Sequence, residues 1–214
     1  FARVAVSLGV DKLRITGGEP LVRKDLHQLI ARLTAIPGVR DIALTTNGVL
    51  LAEQAQALYD AGLRRINVHL DTLDRERFRQ ITRRDDLPRV LEGIDTALRL
   101  GFGPTKINAV AVKNLVEPDI VPLAEFGRRN GIEVRYIEFM PLDAQNLWDK
   151  NKVLLAEDIL ALLARGIGPL EEIPDADPRA PALEYRFRYG VGSVGFIASV
   201  SRPFCLNCNR LRIT

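Results

Sequence analysis

The chain has 214 residues, a formal net charge of +3, a hydrophobic fraction of 47% and two cysteines. This length allows one large domain with a substantial core, and no apolar run approaches the roughly 20 residues that a membrane-spanning helix needs. No lysine- or arginine-rich block alternates with aromatic residues, which argues against a nucleic-acid-binding surface. Two cysteines are too few for a disulfide scaffold. We therefore expect a cytoplasmic protein in which the cysteine pair serves a metal or redox site.

The chain opens within a predicted helix and closes within a predicted strand, so we expect an internal fragment of a longer protein. Predicted strands alternate with helices over the first two-thirds; the strands cover residues 12–16, 41–45, 65–70, 106–112 and 133–140. This alternation predicts βαβ units with right-handed crossovers and a parallel sheet. No G-x-G-x-x-G follows the first strand, and polar residues gather where each strand ends. The pattern therefore favours part of a (β/α) barrel over a Rossmann sheet.

The pattern changes after Met140. A further helix is predicted over residues 155–163, and residues 169–181 are rich in Pro, Asp and Glu, which is typical of a linker or surface loop. Alternating residues 185–189 and 194–200, with a glycine turn between them, predict an antiparallel hairpin. We therefore expect a barrel domain over residues 1–145 and a small C-terminal extension over residues 146–214.

Polar side chains follow every strand of the predicted barrel, at the rim where such folds carry their active sites. Singly, each is better explained as an ordinary turn residue, but the set as a whole favours a binding site. Gly17 and Gly18 have no side chain and would let a ligand approach the backbone. Glu19 could accept hydrogen bonds from an ammonium group. The candidates are Arg14, Gly17, Gly18, Glu19, Thr45, Thr46, Asn47, Asn67, His69, Asp71, Lys106, Asn108, Glu138 and Met140.

A second group of candidates lies at the end of the chain, where Cys205 and Cys208 form a CxxC pair. Two cysteines alone cannot bind zinc or an iron–sulfur cluster tightly. Either a further ligand lies beyond Thr214, or the pair is redox-active or idle. Arg210 and Arg212 alternate after Cys208, so both are expected on one side of the segment, where they suit a phosphate or a purine carbonyl.

Six stretches of the chain together resemble a known family. They are LRITGGEPLVRKDL (13–26), LTTNGVLL (44–51), LYDAGLRRINVHLDTLD (58–74), KINAVAVK (106–113), EVRYIEFMPL (133–142) and FCLNCNRLRIT (204–214). In order and spacing they resemble the radical S-adenosylmethionine (SAM) GTP 3′,8-cyclases of molybdenum cofactor biosynthesis. GGEP alone would indicate only the wider radical SAM superfamily, whereas EFMP together with CxxCxRxR is much more specific.

The resemblance implies an α/β fold, an incomplete (β/α)6 TIM-like barrel of parallel strands. It also implies two [4Fe–4S] clusters, one that binds and reduces SAM and an auxiliary one that binds GTP. A 5′-deoxyadenosyl radical would abstract the ribose C3′ hydrogen of GTP, and the new carbon radical would attack C8 to give 3′,8-cyclo-7,8-dihydro-GTP. The fragment itself is expected to be inactive.

The resemblance also implies roles for individual residues, although it leaves the catalytic residues unknown. SAM contacts fall on Gly18, His69 and Met140. GTP contacts fall on Arg14, Thr45, Lys106, Arg210, Leu211 and Arg212, and Cys205 and Cys208 match two ligands of the auxiliary cluster. The CxxxCxxC motif for the first cluster would lie before Phe1, and a third auxiliary cysteine would lie after Thr214. The family usually has serine where this chain has His69.

The partners implied by the resemblance are GTP as substrate, an electron donor such as flavodoxin or ferredoxin, and the next enzyme, cyclic pyranopterin monophosphate synthase. A homodimer is compatible with it, and neither nucleic acid nor a membrane is expected. Two alternatives stay open: another radical SAM enzyme with an auxiliary cluster, or a non-catalytic nucleotide- or zinc-binding module. Arg210 and Arg212 favour a nucleotide, and an upstream CxxxCxxC would favour the enzymes.

Overall fold

The computed structural model describes residues 1–141, 148–174, 180–188, 192–203 and 208–213. Within them, the helices are α1 (Ala2–Ser7), α2 (Leu26–Thr34), α3 (Leu51–Asp60), α4 (Arg75–Thr82), α5 (Leu87–Arg99), α6 (Ile120–Asn130) and α7 (Ala156–Gly166). The strands are β1 (Lys12–Ile15), β2 (Asp41–Thr46), β3 (Arg65–His69), β4 (Thr105–Ala111), β5 (Glu133–Glu138), β6 (Leu170–Ile173), β7 (Leu183–Phe187) and β8 (Ser193–Ile197).

The chain forms two compact units. The first comprises Phe1–His69 and Arg79–Lys106, and the second comprises Leu70–Phe78 and Ile107–Thr214. The domain division expected from the sequence, at residue 145, stays a prediction. The five predicted strands of the first two-thirds are present in order as β1 to β5, so the predicted α/β alternation is confirmed.

In the first unit, β1, β2 and β3 are parallel and in register, with Arg14 opposite Ala43 and Thr45 opposite Asn67. Because side chains alternate along a strand, this register gives the three strands one apolar and one polar face. The apolar face carries buried side chains such as Leu44, Ile66 and Val68. Arg14, Thr45, Asn67 and His69 share the opposite face.

Helix α5 covers the apolar face of this sheet. The turn at Gly48 lies between Val68 of β3 and Val90 of α5: a Cβ on Gly48 would lie 2.9 Å from Val68 Cγ1 and 3.2 Å from Val90 Cγ1. Its φ of +80° also suits glycine. Close packing on this side leaves the other face of the sheet for polar side chains.

In the second unit, β8 is parallel to β5 and antiparallel to β7, which in turn is antiparallel to β6. Helix α6 covers the face of β5 that carries Tyr136, whose hydroxyl donates to the carbonyl of Ile120 at 2.6 Å. Burial raises the pKa of Tyr136, so the phenol stays neutral. The Tyr136 and Phe196 rings stack with centroids 6.1 Å apart, which joins β5 to β8 through their side chains.

The hairpin of β7 and β8 is antiparallel as predicted, and β8 also pairs in parallel with β5. Two other sequence-based expectations were wrong. Strand β6 lies within the predicted loop 169–181, where Glu171 pairs with Arg186 rather than an apolar residue. The described residues 208–213 form no strand, although the chain was expected to close in one. Helix α4 was not predicted, because only Phe78 of its residues is buried.

We predict that Gly93→Ala destabilises the protein, because α5 packs closely against α3 at this residue. An added Cβ would lie 2.8 Å from the carbonyl oxygen of Gly48 and 2.9 Å from Leu51 Cβ. Overpacking destabilises a protein by about 1–3 kcal/mol, and we expect a value near the top of this range because one of the close atoms belongs to the backbone. This cost exceeds the ~1 kcal/mol that alanine gains over glycine in helix propensity.

The free energy of unfolding in urea measures this effect. The matched control is Asp95→Ala on the exposed side of the same helix, where only a surface ion pair with Arg99 is lost. We expect a change within about 0.5 kcal/mol for the control. Equal stability of Gly93→Ala and the wild type would contradict the close packing of α3 and α5.

Candidate functional site

The polar face of the first unit brings together four of the candidate residues, namely Arg14, Thr45, Asn67 and His69. Arg14 and His69 are exposed there, and Thr45 lies on the strand between them. The hydroxyl of Thr45 is buried and has no hydrogen-bond partner, the only such side-chain atom in the part of the chain that the structure describes. A buried hydroxyl without a partner is unfavourable, so its retention here is typical of a group that binds a ligand.

The loop after β1 presents an open backbone next to this face. Nothing lies within 4 Å of a Cβ built on Gly17 or Gly18, and Gly17 has a φ of +143°, which disfavours other residues. Gly18, the predicted SAM contact, is therefore accessible to a ligand through its main chain.

Glu19 holds this loop to the end of β2. One carboxylate oxygen accepts from Thr46 Oγ1 at 2.6 Å and from the Leu21 N–H at 3.0 Å, and the other accepts from the Asn47 N–H at 2.7 Å. A carboxylate has about four acceptor positions, so three of them are used within the protein. The structure thus gives Glu19 a part in shaping the loop, which the sequence alone did not indicate.

Lys106 also belongs to the first unit, and its residue is only 8% exposed. A buried lysine is unfavourable unless its charge is compensated, and the side chain does interact with other groups of the protein. It can therefore supply a positive charge that is largely shielded from water.

Glu138, a candidate residue of the second unit, is only 1% exposed. Its carboxylate accepts from Ser201 Oγ at 2.5 Å and from the N–H groups of Ser201, Val200 and Ala156 at 2.7, 2.8 and 3.1 Å. Burial opposes ionisation, but these hydrogen bonds prevail and lower the pKa of Glu138 below its ordinary value. The side chain is therefore a carboxylate at neutral pH.

Met140, the other predicted SAM contact, follows β5 and is half-buried. The carbonyl of its neighbour Phe139 accepts a hydrogen bond of 2.9 Å from Trp148 Nε1. Glu138 and Phe139, the two residues before Met140, are thus both held by hydrogen bonds.

The C-terminal segment carries Cys208, Arg210, Leu211 and Arg212, of which the last three are exposed and Cys208 is half-buried. Arg210 Nε donates to Cys208 Sγ at 3.4 Å. Hydrogen bonds from the backbone and the guanidinium of Arg210 lower the pKa of the Cys208 thiol, which favours the thiolate that binds metals. Cys205 lies outside the described residues, and those residues contain no group of three metal-binding side chains.

Sequence analysis did not identify Asp119 as an important residue. It is 4% exposed and accepts from Thr72 Oγ1 and Arg77 Nη1, both at 2.7 Å. These bonds join the loop after β3 to the start of α6. In the sequence, Asp119 is indistinguishable from any acid that precedes a helix, because its partners lie more than 40 residues away.

The fold is that of the Radical SAM superfamily. Residues 1–127 match the Radical SAM superfamily, and the chain belongs to it. SAM and a [4Fe–4S] cluster are the cofactors of this superfamily. Residues 132–214 match the Molybdenum Cofactor Synthesis C family.

Curated relatives named GTP 3′,8-cyclase are similar to nearly the whole chain. Identity is 44% to that of Pelotomaculum thermopropionicum over 99% of the chain, and 45% to those of Rhodopirellula baltica and Alkaliphilus metalliredigens over 96% and 100%. The chain covers 65%, 58% and 65% of these relatives, respectively. The resemblance drawn from the motifs is confirmed, and the chain spans less than two-thirds of the relatives' length.

Solved structures of radical SAM enzymes share the fold. SAM-bound SuiB from Streptococcus suis matches 75% of this chain and 36% of its own length, with 21% identity and a TM-score of 0.59. A radical SAM methyltransferase from Sphaerobacter thermophilus matches 78% and 52%, with 16% identity and a TM-score of 0.54. This likeness confirms the predicted incomplete TIM-like barrel. Among the described helices, none is both long and apolar enough to span a membrane.

We predict opposite effects for two adjacent substitutions on β2 in the absence of ligand. Thr45→Val removes a hydroxyl that has no partner, so the free energy of unfolding should stay the same or rise by up to about 1 kcal/mol. Thr46→Val removes a hydroxyl that donates to Glu19 and accepts from the Gly48 N–H at 3.0 Å, and should cost about 2 kcal/mol or more.

Urea unfolding of both variants tests this pair, and each serves as the control of the other. A loss of stability in Thr45→Val comparable to that in Thr46→Val would mean that the Thr45 hydroxyl has a partner within the protein.

Proposed function

We propose that the full-length protein is a radical SAM GTP 3′,8-cyclase, which converts GTP to 3′,8-cyclo-7,8-dihydro-GTP in molybdenum cofactor biosynthesis. The observation that carries the proposal is the identity of 41–45% to relatives of this name, over 96–100% of the chain. The rest of the full-length protein supplies the ligands of the first cluster and the third ligand of the auxiliary cluster.

In the first unit, the proposed SAM contacts are Gly18 and His69. The open backbone at Gly18 supports its role, because a polar ligand can hydrogen-bond to the main chain there. His69 is exposed on the same face as Thr45 and can donate a hydrogen bond where the family usually has serine.

The proposed GTP contacts of the first unit are Arg14, Thr45 and Lys106. The unpartnered hydroxyl of Thr45 supports this assignment most directly, since a nucleotide oxygen would complete its hydrogen bonding. Arg14 and Lys106 are cationic, and charged hydrogen bonds to phosphate are among the strongest that a protein makes. All three residues orient the nucleotide rather than take part in bond breaking.

In the second unit, Met140 is the proposed SAM contact, and Arg210, Leu211 and Arg212 are proposed GTP contacts. Cys205 and Cys208 are the proposed ligands of the auxiliary [4Fe–4S] cluster. The lowered pKa of the Cys208 thiol supports this role, because iron is bound by the thiolate. The exposure of Arg210 and Arg212 supports contact with a polyanionic ligand.

When bound, SAM and its reducing cluster supply a 5′-deoxyadenosyl radical that removes the C3′ hydrogen of the GTP ribose before ring closure at C8. The residues of this chain bind and orient the two substrates. We further propose that the protein is cytoplasmic and forms a homodimer. Its electron donor would be a protein such as flavodoxin or ferredoxin, and its product would pass to cyclic pyranopterin monophosphate synthase.

Activity of the full-length protein tests the proposal. After anaerobic reconstitution with iron and sulfide, incubation with SAM, a reductant and GTP should give 5′-deoxyadenosine and a product of the same mass as GTP. GTP deuterated at C3′ should transfer deuterium to 5′-deoxyadenosine, because that hydrogen is the one abstracted. ATP in place of GTP is the control. The iron content should correspond to two [4Fe–4S] clusters. SAM cleavage that does not depend on GTP would contradict the proposal.

Binding measurements test the nucleotide contacts. We expect Arg210→Ala, Arg212→Ala and Thr45→Val in the full-length protein each to weaken GTP binding by about 1–3 kcal/mol, since each removes a hydrogen bond to the nucleotide. SAM affinity should change little. The control is Arg129→Ala, which removes an equal charge from an exposed ion pair with Glu125. GTP affinity equal to the wild type in the Arg210/Arg212 double variant would rule out their role.

A further inference from the structure

Strands β5 and β8 lie side by side, and their last paired residues are Ile137 and Ile197. The strand pairing ends with these two residues. The residues after β5 lead to Met140, and those after β8 form a turn in which the Arg202 N–H donates to the Ala198 carbonyl at 2.9 Å. The same stretch continues toward Cys208 and Arg210, so this junction lies upstream of the proposed cluster and GTP contacts.

Glu138 bridges the junction with its side chain and its main chain. The carboxylate accepts both backbone N–H groups of Val200 and Ser201, together with the Ser201 hydroxyl. The main-chain carbonyl of Glu138 accepts from Ser199 Oγ at 3.1 Å. Three successive residues of the turn after β8 are therefore held by one residue at the end of β5.

The carboxylate of Glu138 has no capacity left for a ligand. With the Ala156 N–H, which begins α7, it accepts four hydrogen bonds, and this number equals its acceptor positions. A buried carboxylate is tolerated only when it is fully hydrogen-bonded, and charge-assisted bonds of this kind are strong and directional. Glu138 is thus suited to fix positions and unsuited to bind substrate.

We propose that Glu138 is a positioning residue for the GTP end of the active site: it fixes the turn at residues 199–201 and so determines where the segment with Cys208 and Arg210 begins relative to Met140. The inference rests on the proposed function, because it assigns that segment to the auxiliary cluster and GTP. Among the described contacts, few hydrogen bonds other than those of Glu138 hold the turn. Strand β5, in contrast, is held by its pairing within the sheet.

The test uses the full-length, anaerobically reconstituted protein. Glu138→Gln keeps the shape of the side chain, but its amide group would face the N–H donors of the turn. We expect GTP binding to weaken by about tenfold or more, and the change that GTP causes in the electron paramagnetic resonance spectrum of the reduced auxiliary cluster to be lost. SAM affinity should stay within about twofold of the wild type, because the sheet holds β5.

The matched control is Asp119→Asn, which makes the same change in another buried acid of the second unit that hydrogen-bonds to Thr72 and Arg77. It should lower thermal stability but leave GTP affinity within about twofold. Ser201→Ala removes only the hydrogen bond of 2.5 Å from Ser201 Oγ to the Glu138 carboxylate and should weaken GTP binding by about threefold. This variant tests the inference if Glu138→Gln does not fold.

The outcomes separate the inference from the proposed function. A wild-type protein that binds no GTP or holds one cluster overturns both. A wild type with both properties, combined with a Glu138→Gln variant of unchanged GTP affinity and spectrum, overturns the inference alone. Equal weakening by Asp119→Asn also overturns it, since the effect would then follow from stability in general. A loss confined to Glu138→Gln and Ser201→Ala supports the inference.

Discussion

The parallel register of β1, β2 and β3 is the constraint on which the first unit depends. Each strand must direct its branched and aliphatic side chains to one face, where helices can bury them, and the alternation of side chains then directs the intervening residues to the other face. Arg14, Thr45 and His69 are separated by more than 20 residues in the chain, and they share a face for this reason alone. The packing of the core and the assembly of the polar face are therefore one consequence of the same pairing.

Hydrogen-bonded carboxylates organise the segments that leave the strands. Glu19 holds the loop after β1 to the end of β2, Asp119 holds the loop after β3 to α6, and Glu138 holds the turn after β8 to the end of β5. Hydrogen bonds to a negative charge are directional and strong, so a single carboxylate can fix such a segment without apolar packing.

The sequence predicted the strands well because each has an apolar run between turn residues. It placed Arg14, Thr45 and His69 only at the rim where parallel strands end. That the three share one face follows from the register of the strands. The sequence missed β6, whose pairing uses Glu171 and Arg186, and α4, where Phe78 is the one residue buried. The partners of Glu138 and Asp119 could not be predicted, because Ser201 and Thr72 lie 63 and 47 residues away and no local pattern links them.

The unpartnered hydroxyl of Thr45 has a consequence for substrate discrimination. A binding site that contains a buried polar group rejects analogues that cannot hydrogen-bond to it far more strongly than an apolar pocket rejects a molecule of slightly different size. The difference reaches about 10⁴-fold in favourable cases, whereas an extra methylene is worth only about 10–200-fold. In the proposed GTP site, the buried hydroxyl of Thr45 can therefore contribute more to selectivity than the shape of the site.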